Sequence, residues 1–87
     1  MKVYSVMFDY YNETELELAT VDVKQAIAKL KETPANSHGV NVLSVWEGGK
    51  QLIEVFISEK EGLLPAHPHD LFQEESKKEY EELLKLL

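Results

Sequence analysis

The stretch VNVLSVWEGGKQLIEVFIS, residues 40–58, decides the fold. Two runs rich in β-branched and aromatic residues flank Gly48 and Gly49. Glycine readily adopts the positive φ angles that both central positions of a type I′ turn require. The stretch therefore predicts a β-hairpin with strands at 40–47 and 50–58. A two-residue loop would pair Trp46 with Gln51, Ser44 with Ile53 and Val42 with Val55.

Under that pairing, both faces of the hairpin are apolar. One helix covers one face of a sheet, so the hairpin needs helices on both faces or a partner subunit on the face that is left open. The sequence does not assign the helices to a face. The expected first face carries Val40, Val42, Ile53, Val55 and Ile57, and the second carries Leu43, Val45, Leu52 and Phe56.

Two strands are predicted before the hairpin. Residues 2–10, KVYSVMFDY, are apolar on both sides, which is usual for a central strand. Residues 14–20 alternate between leucine and polar side chains, with Leu16 and Leu18 expected on one side. The acidic residues between them discourage pairing with another sheet edge, so we expect a half-exposed edge strand.

Two segments have a helical period, at residues 23–33 and 71–86. The first follows a capping-box pair, Asp22 and Gln25. For the second helix, we expect Asp70 at the N-cap and Gln73 three residues later. The apolar stripes are Val23, Ala26, Ile27 and Leu30 in the first helix, and Phe72, Ser76, Tyr80, Leu83, Leu84 and Leu87 in the second.

These elements predict one small α+β domain over residues 1–87, in the order ββαββα. Residues 59–70 are interpreted as a linker to the second helix. A four-stranded, mainly antiparallel sheet in the order 2-1-3-4 makes every neighbouring pair antiparallel, if the first helix crosses over in the right-handed sense. Two amphipathic helices complete the expected fold.

The linker contains HPHD, residues 67–70, which is the most function-like stretch in the chain. Pro68 favours an extended backbone at His67, so the His67 and His69 side chains would point the same way. With Asp70 or His38 they would form a three-ligand zinc site. The alternative is that Asp70 caps the second helix and the histidines are polar loop residues. We favour the cap and linker, because no further metal motif accompanies them.

Composition limits the choice of function. The chain has 9 basic and 16 acidic residues, a net charge of −7, and every basic residue is lysine. Nucleic-acid backbones attract cationic proteins, so direct binding to nucleic acid is disfavoured. The absence of cysteine removes disulfides and suits a reducing compartment, so a cytoplasmic location is expected. No run has the apolar length of a membrane span, and no membrane association is expected.

Catalytic motifs do not emerge from the sequence. Its serines lack a nucleophile-elbow motif, and Gly48 and Gly49 lack the spacing of a phosphate-binding loop. The carboxylates fall on expected exposed faces. We therefore expect a protein that is not an enzyme and uses no cofactor.

The remaining features favour protein binding, first to a second copy of the chain as a homodimer. Tyrosine and tryptophan are frequent interface hot spots, and the C-terminal YEELLKLL has more leucines than one helix stripe needs. The candidate interaction residues are Tyr10, Tyr11, Trp46, Phe72, Leu86 and Leu87.

A second hypothesis is an acidic inhibitor that imitates nucleic-acid phosphates and blocks a basic site on a nucleic-acid-handling protein. In size and charge the chain resembles phage-encoded inhibitors of host defence nucleases, a resemblance of composition alone. The residues that would carry it are Glu13, Glu15, Glu17, Glu81 and Glu82. Metal binding by His67, His69 and Asp70 is a third hypothesis.

Overall fold

The computed structural model of the protein describes residues 1–10, 13–32 and 39–87. They form a small single-domain α+β structure with two α-helices on a sheet. In chain order the elements are β1 (Lys2–Tyr10), β2 (Glu13–Thr20), α1 (Val23–Glu32), β3 (Val40–Glu47), β4 (Lys50–Ser58), β5 (Gly62–Pro65), a 3₁₀ turn (Pro68–Phe72) and α2 (Glu74–Lys85).

The sheet in the described residues has five strands, not the four predicted, in the order β2-β1-β3-β4-β5 with every pair antiparallel. The additional strand, β5, lies in the segment interpreted as a linker. Phe56 pairs with Leu64 and Ser58 with Gly62. A four-residue strand that ends in proline gives little sequence signal, and an edge position is where a sheet tolerates proline. The predicted order was therefore incomplete.

Both helices pack on the same face of the sheet. Leu30 of α1 and Leu83 of α2 belong to one buried cluster with side chains of the strands. Six of the cluster's side chains are the largest fully buried ones in the described chain: Leu30, Leu43, Ile53, Val6, Val45 and Val55. The core is therefore a single layer between the sheet and the two helices. We call the opposite side of the sheet the open face.

A bulge changes the register of the predicted hairpin. Gly48 and Gly49 have φ angles of 60° and 78°, as the two-residue turn requires, and Trp46 pairs with Gln51 as expected. The register then shifts, so that Ser44 pairs with Glu54 and Val42 with Phe56. The predicted pairs of Ser44 with Ile53 and Val42 with Val55 were wrong. Leu52 is the extra residue on β4, and its insertion places Ile53 and Val55 on the helix side.

A second bulge lies between β1 and β2. Val6 pairs with Leu18, but Met7 pairs with Leu16, so Glu17 is the extra residue. Two residues on one strand share a face only where the alternation is unbroken. The predicted common side of Leu16 and Leu18 was therefore wrong. Leu18 packs against the core, whereas Leu16 lies on the open face and is 58% exposed.

Each helix begins differently from the other. Asp22 caps α1, since its side chain accepts a bond from the Lys24 N–H at 2.9 Å. The Asp22 N–H donates to the Thr20 hydroxyl, which in turn donates to Gln25, so Thr20 bridges the expected capping box. Asp70 does not cap α2. It lies within the 3₁₀ turn begun by Pro68, and Gln73 is the N-cap, without a side-chain bond.

Candidate functional site

The registers of the strands align five apolar side chains across the whole open face. Met7 pairs with Leu16 on one side and Val42 on the other, and Phe56 pairs with Val42 and Leu64. Each of the five strands contributes one member. At about 4.8 Å between strands, the row is roughly 19 Å long. We call it the apolar row: Leu16, Met7, Val42, Phe56 and Leu64.

The members of the apolar row differ in exposure. Leu16, at the edge, is mostly exposed, and Met7, Phe56 and Leu64 are partly buried. Val42, in the middle, is only 8% exposed although both helices lie on the other side of the sheet. The row is thus a continuous apolar surface with its most accessible side chain at the β2 edge.

A polar row runs beside the apolar row, two residues further along each strand toward the Gly48–Gly49 turn. Ser5, Ser44 and Glu54 are aligned across β1, β3 and β4. The Ser44 hydroxyl donates to a Glu54 carboxylate oxygen at 3.2 Å, and the Gln51 amide donates to both groups. The Trp46 indole N–H donates to the Ser5 hydroxyl at 3.1 Å. These bonds hold the polar side chains in place.

Charge is scarce on the described part of the open face. The alternation of the strands places two carboxylates there, Asp9 near one end and Glu54 in the polar row. Asp9 accepts a bond from the Thr14 hydroxyl at 2.6 Å. In the whole chain 29% of residues are charged. Interfaces are typically depleted in charge at their centre and enriched in aromatic residues and methionine, as this face is with Trp46, Phe56 and Met7.

The predicted interaction residues are dispersed. Trp46 lies on the open face. Tyr10 lies on the helix side, with its ring centroid 5.2 Å from that of Phe8, and a hydrogen bond to Glu13 raises its pKa. Phe72, on the 3₁₀ turn, is 91% exposed. Leu86 and Leu87 are partly exposed at the end of α2, and Tyr11 lies outside the described residues.

Four of the five predicted acidic residues lie away from the open face. Glu13 and Glu15 pair with Tyr10 and Phe8, so they are on the helix side of β2. Glu17 is the extra residue of the bulge, and Glu81 and Glu82 belong to α2. The acidic charge is therefore distributed over an edge strand and a helix, and Glu13, Glu15, Glu81 and Glu82 lie on the side of the sheet opposite the apolar row.

The HPHD histidines line a polar cleft of about 330 Å³ between β4, the 3₁₀ turn and the start of α2. His67 Nε2 lies 3.4 Å from Glu54 Oε1, and His69 Nε2 lies 3.6 Å from Asp70 Oδ1. The two imidazole centroids are 6.0 Å apart. No group of three or more His, Asp or Glu side chains in 1–10, 13–32 and 39–87 is placed to hold a metal ion. His38, the other proposed ligand, is not among those residues.

An ion pair helps to dock α2 across the helix-covered face. Glu79 is buried, and one of its carboxylate oxygens lies 2.5 Å from Lys2 Nζ. The hydrogen bond that Lys2 donates to Glu79 and the negative charge of Glu79 raise the pKa of Lys2 despite the opposing effect of burial. Ser76 adds a bond from its hydroxyl to the Leu52 carbonyl at 2.6 Å.

The apolar row could not be found from residue spacing. Leu16 and Leu18 look equivalent by alternation, and so do the two faces of the hairpin. The two bulges decide which residues share the open face. Neither of the inserted residues, Glu17 and Leu52, is of a type that marks a bulge in the sequence. Of the residues on this face, the sequence predicts only Trp46 as an interaction residue.

Comparisons with protein-family models, curated proteins and solved structures gave no match for this chain. Among the described residues, no helix is long and apolar enough to cross a membrane.

Proposed function

We propose that the protein is a small, non-enzymatic protein-binding module that uses the open face of its sheet, and that its partner there is a second copy of the same chain. The observation that carries the proposal is the apolar row, which extends over all five strands opposite the helices. Contiguous apolar surface on one side of a small domain is characteristic of an interaction site.

Charge favours a second copy on this face over other faces of the protein. A chain with a net charge of −7 repels its own copies wherever acidic surfaces meet. Glu13 and Glu15 of β2 and the acidic residues of α2 lie off the open face, so two open faces can meet with little repulsion. In a two-fold dimer the same patch occurs on both subunits and must be complementary to itself.

The apolar row satisfies that condition. A two-fold axis that passes above Val42, its middle residue, brings the row of one copy onto the row of the other. Two sheets packed face to face are about 10 Å apart, which leaves room for the two layers of side chains to interdigitate. The Trp46 ring, held by Ser5, would lie beside the apolar centre, where aromatic side chains contribute most to affinity.

The size of the face is sufficient for a modest dimer. The five strands have 9, 8, 8, 9 and 4 residues, and at about 3.3 Å per residue and about 4.8 Å between strands they give roughly 600 Å² for each copy. The total of about 1,200 Å² is at the lower limit of specific, stable interfaces. We therefore expect a reversible dimer with a dissociation constant in the micromolar range, about 1–100 μM.

Leu16→Glu tests the proposal, with Val21→Glu as the matched control. Leu16 is 58% exposed and belongs to the apolar row, whereas Val21 is 61% exposed and precedes α1. Both replacements leave the core intact and add one charge. Sedimentation velocity over a hundredfold concentration range, on the order of 3–300 μM, spans the expected affinity.

The expected result is a dimer for the wild type and Val21→Glu, and a monomer for Leu16→Glu. A wild type that stays monomeric at every concentration would contradict self-association. A dimer broken by Leu87→Glu but not by Leu16→Glu would move the interface to the end of α2.

A further inference from the structure

We infer that dimerisation through the open face is coupled to proton uptake by His67, so that Glu54 and His67 make assembly tighter at mildly acidic pH. This inference rests on the proposed self-association. It concerns Glu54, whose carboxylate belongs to the polar row and lies beside the apolar row. Asp9, the other carboxylate that strand alternation places on the described part of this face, lies near one end of it.

Glu54 is held in a fixed position. One carboxylate oxygen accepts bonds from Ser44 and Gln51, and the other lies 3.4 Å from the His67 imidazole. Its side chain is 30% exposed, so water still solvates it in the single chain. A second copy over this face would remove that water from a charged group. Burial of a carboxylate is costly unless a positive partner remains beside it.

His67 is placed to supply that charge. Its side chain is 57% exposed, so its imidazole is in contact with solvent. Histidine is the side chain that ordinarily changes charge between about pH 5 and pH 8. The ionisable side chains that line the cleft with it are His69 and Asp70, which face each other, while the lining residues from the α2 side, Gln73 and Ser76, are uncharged. Glu54 is therefore the carboxylate to which His67 is directed.

The direction of the effect follows from this geometry. A protonated His67 imidazole neutralises Glu54, and the pair enters the interface with no net charge. A neutral His67 leaves the carboxylate alone in the interface, and the dimer weakens. The dimer thus binds more protons than two separate chains, and association strengthens as the pH falls.

The experiment measures the dimer dissociation constant by sedimentation equilibrium at about pH 6 and about pH 8, in buffers with a chelator so that no metal contributes. The wild type should bind about tenfold more tightly or better at the lower pH, because each of the two subunits can take up a proton and each proton tightens the complex by up to about tenfold per pH unit. Glu54→Gln should remain tight at both values. His67→Gln should remain weak at both.

A double variant, His38→Asn with His69→Asn, is the control, because it removes the other two histidines of the chain. It should keep the response of the wild type. A dimer whose affinity is the same at both pH values, or a response that persists in His67→Gln, would overturn the inference and leave the proposed dimer intact. Wild type and Glu54→Gln that are both monomeric at both pH values would overturn the proposed function and the inference together.

Discussion

On β3, Leu43 and Val45 point toward the helices and are fully buried, while Val42 and Trp46 alternate with them on the open face. The helix side is closed by α1 and α2, and its core side chains reach exposures of 0–1% at the strand centres. The open face joins an apolar row to a polar one. The difference shows that the helices account for the apolar residues on one face of the sheet only, and the apolar row requires another explanation.

The largest expected effect comes from truncating one valine on each face. Val45→Ala should cost about 2–3 kcal/mol of unfolding free energy, because a closed core leaves a cavity that cannot collapse. Val42→Ala should cost about 1 kcal/mol, since solvent and neighbouring side chains reach the open face and no sealed cavity forms. Urea unfolding at a concentration where the chain is monomeric gives both values.

Equal losses for the two valines would break the comparison, because they would mean that the open face is closed within a single chain. A loss of unfolding free energy in Val42→Ala that grows with protein concentration would instead indicate that a second copy covers the open face, because a dimer stabilises the folded state by mass action.

Salt provides a smaller effect that separates the apolar row from the acidic surfaces. An interface centred on the apolar row should keep its dissociation constant within about threefold as salt is raised from roughly 0.1 M to 0.5 M. Complexes held by Glu13, Glu15, Glu17, Glu81 and Glu82 with a basic partner should weaken steeply over the same range. Pull-downs from cell extract, washed at the two salt concentrations and compared with the Leu16→Glu variant, distinguish them. A salt-sensitive partner retained by Leu16→Glu would support the phosphate-mimic hypothesis.

The smallest expected effect concerns the ion pair on the helix-covered face. The pKa of Lys2 is raised by Glu79, and burial raises the pKa of Tyr4. A group whose pKa is higher in the folded than in the unfolded chain stabilises the fold at any pH below its unfolded pKa, which is about 10.5 for lysine and 10 for tyrosine. This stabilisation is lost as the pH rises through the folded pKa. We therefore expect stability to fall above about pH 10.

Lys2→Met should lower stability at neutral pH by less than about 1 kcal/mol, because the pair is partly solvated. It should also reduce the alkaline loss, as measured by urea unfolding between neutral pH and about pH 11. A wild-type curve that is flat through this range would contradict the role of the pair.

Much of the fold could be predicted because its signals are local. The hairpin turn at Gly48 and Gly49, the period of α1 and the cap at Asp22 each depend on a few neighbouring residues. The short β5 and the late start of α2 could not be predicted in the same way. Proline and histidine in residues 65–69 favour a linker, yet the backbone of Gly62–Pro65 pairs with β4. That pairing depends on the position of β4 in the folded sheet.

The candidate site was much less predictable. Trp46 was singled out for its residue type and does lie on the open face. The sequence does not predict the apolar row as a set, because its members come from five different strands. Two bulges also break the simple alternation of faces along β2 and β4. The acidic residues were identified as a group by charge, yet the structure distributes them over two elements.

The sequence by itself determined the α+β class, the hairpin, the two helical segments and the negative charge. These properties follow from backbone preferences and side-chain periods within single segments. Only the tertiary structure decided the registers at Glu17 and Leu52, the fifth strand and the placement of both helices on one face. A one-residue shift moves every following side chain to the other face, and which register holds depends on the packing of all five strands together. The open face, and with it the proposed function, is a product of that packing.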